Sequence, residues 1–256
     1  MNHKLLRGPL VYLVILLHVA FVAGCVSTSA KKISPSDVAT ANVNLATEYF
    51  RLGRMETALK SAKKAVDADA KSVSANSLLA LIYQRLEQPL LADEYFLNAI
   101  SRVQEDTGEF GIIHNNYGVF LCQNNKFTGA EEHFLLAANN KLYSTPQGAY
   151  ENVGICALKS KKIKLAEKYF RKSLEISPDM PRSLIELANI QYDTEKFLSS
   201  RAYLQRYHAM AKSDAKTLFF AIKIEKKLGS FDEAFRIQDE LRKRFPDSEE
   251  ARNVSN

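Results

Sequence analysis

Tryptophan is absent from this chain of 256 residues, and glycine, cysteine and histidine are scarce, at ten, three and five residues. The scattered glycines supply neither a phosphate-cradling loop nor a GxSxG turn, the histidines form no HExxH pair, and the cysteines no CxxC. Only His114, His133 and His208 lie beyond the first 24 residues. Cys122 and His133 have the chemistry of a thiol nucleophile and its base, but nothing nearby in the sequence would orient them. The chain is therefore expected to be no enzyme, to need no cofactor and to hold no metal. A long apolar run is also missing: residues 10–22 are too few to cross a bilayer with comfort. What remains, 46% hydrophobic and 25% charged, is the balance of a helix-rich globular protein.

The apolar run follows Lys4 and Arg7, as in a signal peptide. It ends in Val22-Ala23-Gly24-Cys25, which resembles the lipobox of bacterial lipoproteins, where the cysteine is acylated and becomes the new N-terminus. Residues 1–24 are thus expected to be the signal peptide, Cys25 the lipidation site, 25–36 the acylated N-terminus and a tether, and 37–256 the folded domain. Cleavage removes Lys4 and Arg7 from the 35 basic side chains, and the 33 left face 29 acidic ones, a net of +4. That mild excess, with no sustained basic stripe, argues against nucleic acid as a partner. Acyl chains would hold a soluble domain at a membrane without a spanning helix. By resemblance to sorting rules in two-membrane bacteria, Val26 in place of Asp implies the outer membrane.

From Asp37 a repeat begins. Residues 114–142, HNNYGVFLCQNNKFTGAEEHFLLAANNKL, carry its clearest copy: two helices joined at Asn124-Asn125, with Gly118 on the first and Ala130, Phe134 and Ala137 on the second. Small residues let paired helices approach, and the aromatic fills the gap to the next pair. The small residue of the second helix recurs as Ala58, Ala92, Ala130, Ala166, Ser200 and Ala234, and a period near 34 residues is the tetratricopeptide (TPR) spacing. First-helix slots recur in step, as Leu45, Leu79, Tyr117, Val153, Leu187 and Ala221. The slot that often carries tryptophan holds Asn42, Asn76, His114, Tyr150, Leu184 and Leu218, which gives His114 a structural role. The fold expected is an all-α TPR solenoid of six helix-turn-helix repeats, twelve helices, whose shared core stabilises units too small to fold alone.

First helices should line the inner wall, a surface suited to an extended or helical peptide. The predicted partner-binding groove comprises Val43, Thr47, Phe50, Ser77, Leu81, Gln84, Asn115 and Val119. Val43, Phe50 and Leu81 are expected to point away from core slots such as Leu45, Tyr49 and Ala58; contact of Val43 and Phe50 with the tether or a preceding helix is the competing reading. Cys122 and Cys156 lie one repeat apart on successive first helices, either as a disulfide or as two buried thiols. Lys159, Lys161, Lys162, Lys164, Lys168, Arg171 and Lys172 form either a grip for acidic groups or a solvated face.

The lipobox together with NNYGVFLC at 115–122, ENVGICALK at 151–159, AEKYFRKSLEISPDMPRSLIELA at 166–188 and LGSFDEAFRIQDELRKRFPDSEEA at 228–251 resembles type IV pilus biogenesis lipoproteins of the PilF/PilW type. The resemblance implies a pilotin: an outer-membrane lipoprotein, anchored by its N-terminal lipid and facing the periplasm, monomeric when free. It would bind the pilus secretin subunit and promote its localisation and multimer assembly. The other reading is a TPR scaffold lipoprotein of a different envelope assembly complex.

Overall fold

The computed structural model describes residues 34–254, so the signal peptide, Cys25 and most of the tether lie outside the described residues. Twelve helices form six antiparallel pairs: α1 (Pro35–Arg51) with α2 (Met55–Ala68), α3 (Val73–Arg85) with α4 (Pro89–Ile100), and α5 (Gly108–Gln123) with α6 (Phe127–Asn139). The series continues with α7 (Pro146–Lys159) and α8 (Ile163–Ile176), α9 (Pro181–Asp193) and α10 (Phe197–Met210), and α11 (Ala215–Lys227) and α12 (Phe231–Arg244). There is no strand among the described residues. The first helix starts at Pro35, two residues before the expected Asp37.

A thirteenth helix, α13 (Glu249–Asn253), extends the expected count of twelve. The Ser248 hydroxyl caps it by accepting from the Ala251 N–H, and its buried Ala251, with Val254 just beyond, packs on the core of unit six. Gln238 Nε2 donates to the Val254 carbonyl and fixes this end of the stack.

The chain marks each helix start and turn locally. Proline opens α4, α7 and α9, where its missing N–H costs nothing. Ser72 and Thr107 accept from backbone N–H groups as N-caps, and Asp214 with Thr217 makes a reciprocal capping box. Each intra-pair turn needs one left-handed residue, and these are Gly53, Glu87, Asn125, Lys161, Glu195 and Gly229. They recur in step with the small residues of the second helices.

Close approach within pairs has a direct measure. A Cβ built on Gly118 would lie 2.6 Å from the Phe134 ring, and one on Gly154 would lie 2.7 Å from that of Phe170. Both phenylalanines are fully buried, so neither ring can swing clear. Gly154→Ala is expected to lower stability by about 1–3 kcal/mol through overpacking. Gly148→Ala, where an added methyl meets nothing within 4 Å, should instead hold or raise stability, since alanine favours helix. Thermal denaturation of the two variants should therefore give shifts of unequal size, with Gly154→Ala melting well below the parent.

The core runs the length of the array as three buried clusters, linked through the half-buried Leu165, Tyr203 and Tyr207. Two slot assignments need correction. Leu45 is 47% exposed and Tyr49 only half-buried, because no described helix precedes α1 to pack over its outer side. The same positions in later units, Leu79 and Tyr83, are buried.

Candidate partner-binding groove

The predicted groove residues lie on α1, α3 and α5, successive first helices. Their side chains do not stand clear of the core as expected. Val43, Phe50, Leu81 and Val119 are half-buried and pack against the apolar cluster of units one to four, and Ser77 is buried. Helix-face periodicity separates sides of one helix, but here the neighbouring first helices close over much of the inner side. Thr47 stays exposed, its hydroxyl donating to the Val43 carbonyl of its own helix.

Between first helices the inner side carries polar rungs, which the sequence reading did not foresee. Gln84 Nε2 donates to Gln123 Oε1 at 2.7 Å, and Asn152 Nδ2 donates to Asn115 Oδ1 at 2.9 Å. The Ser74 hydroxyl donates to Glu109 Oε1, and Glu151 Oε2 accepts from both the N–H and hydroxyl of Ser183. Asn115, one of the predicted groove residues, is already engaged through its oxygen. Gln84 keeps a buried Oε1 with no protein partner. Such pairs join residues about one repeat apart, which is the signal that would have found them: amide and hydroxyl residues on the inner face of adjoining units.

Cys122 on α5 and Cys156 on α7 form a disulfide with Cα atoms 5.8 Å apart, within the span a bridge requires. Lys159 reaches back from the same helix to donate to the carbonyls of Cys122 and Gln123, both at 3.1 Å, where a cation offsets the exposed C-terminal end of α5. Units three and four are thus tied covalently and by charge along the inner side.

His133 is not placed beside Cys122 as a base. Its Nδ1 lies 2.7 Å from Nδ1 of His114, so one imidazole donates and the other accepts. Burial first, and then the neighbouring His133, hold the His114 pKa down at about 4; burial also lowers that of His133. Tyr117 stacks edge-on against His133 and donates to Asp93 Oδ1. Among the described residues no group of three or more potential ligands could hold a metal.

The basic run is partly consumed within the fold. Arg171 pairs with Glu167 and lies over Tyr203, Lys172 stands 4.2 Å from the Tyr150 ring centroid, and Lys168 covers Tyr169. Lys161, Lys162 and Lys164 remain exposed on the turn into α8 and its first residues.

Six stacked helix pairs with small-residue and aromatic slots in register define a TPR protein. The Tetratricopeptide repeat family matches residues 39–72 and 148–180. The chain is 28% identical over 241 residues to "Type IV pilus assembly protein PilF" of Pseudomonas aeruginosa, covering 92% of this chain and 94% of that protein. The solved structure of Pseudomonas aeruginosa pilF superposes with a TM-score of 0.73 at 27% identity, over 86% of this chain and 98% of that one. That of PilW, described as a widely conserved type IV pilus biogenesis factor, superposes with a TM-score of 0.70 at 32% identity, over 86% of this chain and 99% of that one. The chain belongs to this PilF/PilW family of type IV pilus biogenesis TPR proteins.

Proposed function

We propose that the protein is a pilotin: a lipoprotein anchored through Cys25 in the outer membrane, which binds the pilus secretin subunit and promotes its localisation and multimer assembly. The observation that carries this reading is the likeness to PilF and PilW over nearly all of the domain beyond residue 34, including the solenoid that presents α1, α3 and α5 side by side. Residues 1–24 act as the signal peptide and are lost, and the domain faces the periplasm as a monomer until it meets its partner. The groove takes an extended or helical segment of the secretin across Thr47, Leu81, Gln84 and Val119, with Val43, Phe50, Ser77 and Asn115 shaping its floor. No reaction is catalysed.

The half-burial of Phe50 and Leu81 makes charge substitution there a test of folding as much as of binding. Thr47→Arg with Gln84→Arg instead adds bulk along the track, giving up the Gln84 to Gln123 hydrogen bond but leaving the apolar packing in place. Secretin multimers in outer membranes should fall by an order of magnitude while the lipoprotein stays folded, since central contacts dominate interface energy. A second arm, Cys25→Ser, should yield folded protein that no longer fractionates with membranes. Normal multimers from the folded double-arginine variant would move the binding site out of units one and two, and membrane flotation of the serine variant without any partner would end the anchor assignment.

A further inference from the structure

Both ends of the array carry exposed apolar side chains, and the repeat shows what their slots touch elsewhere. On α12 the pair is Phe231 and Phe235, each more than half exposed. Phe235 follows the small residue of the second helix. In earlier units this slot reaches forward to the next first helix, as Asp93 to Tyr117, Glu167 to Gln191 and Arg201 to Glu225. Phe231 has the slot of Phe127, which shares a narrow crevice with Cys156, Ala157 and Ser160 of the next first helix. Both phenylalanines thus stand where a seventh first helix would pack. α13 begins that helix in register, since Glu249 lies 34 residues after Ala215 and Ser248 caps it as Asp214 caps α11. It ends at Asn253 and leaves Phe231 and Phe235 exposed.

At the other end, Leu45 and Leu52 of α1 are exposed and Tyr49 is half-buried. Leu45 has the slot of Tyr117, Tyr49 that of Gln191 and Glu225, and Leu52 that of Ser160. These are the slots that meet those of Phe235 and Phe231 at the internal junctions. Where the inner junctions join polar groups, the two ends offer apolar side chains to each other. Charge agrees with this match. Cys122 and Cys156, bridged between units three and four, correspond to Lys226 on the trailing edge and Glu48 on the leading edge, opposite in sign. Glu48 pairs with Arg51 and stays exposed. Arg51 in turn has the slot of Lys159, which meets the carbonyls that end α5.

We propose that the leading edge of unit one in a second copy of this chain seats on the trailing edge of unit six, its α1 displacing α13 as the seventh first helix. Leu45 and Tyr49 of the copy cover Phe235, Leu52 covers Phe231, and Glu48 meets Lys226. Such a contact is heterologous, so each end keeps one free edge and copies can add in a row. α13 has five residues against the 17 of α1, and it holds its place through little apolar surface, Ala251 with Val254 just beyond. Because this cap must first give way, the apparent affinity is reduced by the fraction of chains with an open seat. Dilute chains therefore stay monomeric, and crowded ones associate. The seat does not rest on the pilotin reading.

The internal disulfide supplies the test. Glu48→Cys and Lys226→Cys put thiols at the slots of Cys156 and Cys122, whose Cα atoms lie 5.8 Å apart. Both positions are exposed, so neither change disturbs the core. Purified full chains of the two variants are mixed in equal amounts, concentrated, oxidised with copper phenanthroline and run on a non-reducing gel, with the parent chain as blank. A mixed disulfide dimer is expected, at least about tenfold above that of either variant alone, because a heterologous contact brings unlike edges together. Phe235→Asp in the Lys226→Cys chain, a change at an exposed position, should lower the yield about tenfold. Ser248→Ala in that chain removes the α13 cap and should raise the yield. Equal dimer from either variant alone, a yield unmoved by Phe235→Asp, or one not raised by Ser248→Ala would each overturn the proposal. Absence of the mixed dimer would overturn it too, and would leave the seat to a helix of another polypeptide.

Discussion

Replacing Cys122 and Cys156 together by alanine is expected to lower the stability of the domain by about 3–4 kcal/mol. The bridge closes a loop of 34 residues, and restricting the unfolded chain over that length contributes about this much in the chain-entropy description. Alanine is the right replacement because both positions are buried among apolar residues, where a serine hydroxyl would add a desolvation cost of its own. The loop holds all of α6 between two first helices, so the loss should concentrate in units three and four. Hydrogen exchange would show it there as faster opening of α5, α6 and α7, with units one and six little changed, because a solenoid couples mainly nearest neighbours. The Lys159 contacts to the Cys122 and Gln123 carbonyls would remain in the variant and keep the two first helices in register. Mass spectrometry of protein purified without reductant should find the pair oxidised. Free thiols at both positions, or an unchanged melting profile in the double alanine variant, would remove the bridge from the account of stability.

The repeat was legible because each unit must solve the same packing problem. Gly118 and Gly154 recur where Phe134 and Phe170 need room, and the left-handed turn residues recur where each first helix must reverse. Where the array ends, that logic fails. Leu45 occupies a core slot by spacing but has no preceding helix among the described residues to bury it, and α13 escapes a count based on whole repeats although Ser248 and the acidic residues after it mark a helix start. The inner face was legible only as a face. Spacing of three, four and seven residues selects Val43, Phe50, Leu81 and Val119, but how far the neighbouring first helices cover them depends on stacking distance, which no single unit encodes. Rungs such as Gln84 to Gln123 and Asn115 to Asn152 depend on that same distance. A cavity of about 260 Å³ between α10, α11 and α12 lies at the other limit: Leu204 and Ala221 are smaller than the residues that fill their slots in units two to four, and stacking brings both to one junction.

Acidification should destabilise the middle of this array through one pair of imidazoles. His114 is buried, and its pKa in the folded protein is held at about 4 against an ordinary value of 6.5, by burial first and by the facing His133 second. A depressed pKa means that the folded state resists the proton that the unfolded chain accepts. The stability tied to the neutral pair is therefore fully present above pH 6.5 and is lost as pH falls towards 4. Below that, protonation of His114 in the folded state as well ends its contribution to the slope. The shift corresponds to roughly 3 kcal/mol across this window. His133 is lowered in the same direction by burial, with Glu132 opposing the shift; the contact needs one ring to accept, so it is lost once both rings are protonated. Tyr117 packs against His133 while its hydroxyl donates to Asp93, so loss of the pair loosens the contact between α5 and α4 as well. Denaturant titrations at pH 7.0 and pH 4.5 should show a loss in the parent protein beyond that of a His114→Phe, His133→Leu variant, which has no imidazole to protonate there. The phenylalanine keeps an aromatic ring beside Phe110, whose ring centroid lies 4.1 Å from that of His114. Equal acid sensitivity in parent and variant would place the titration elsewhere and leave the two histidines as ordinary core residues.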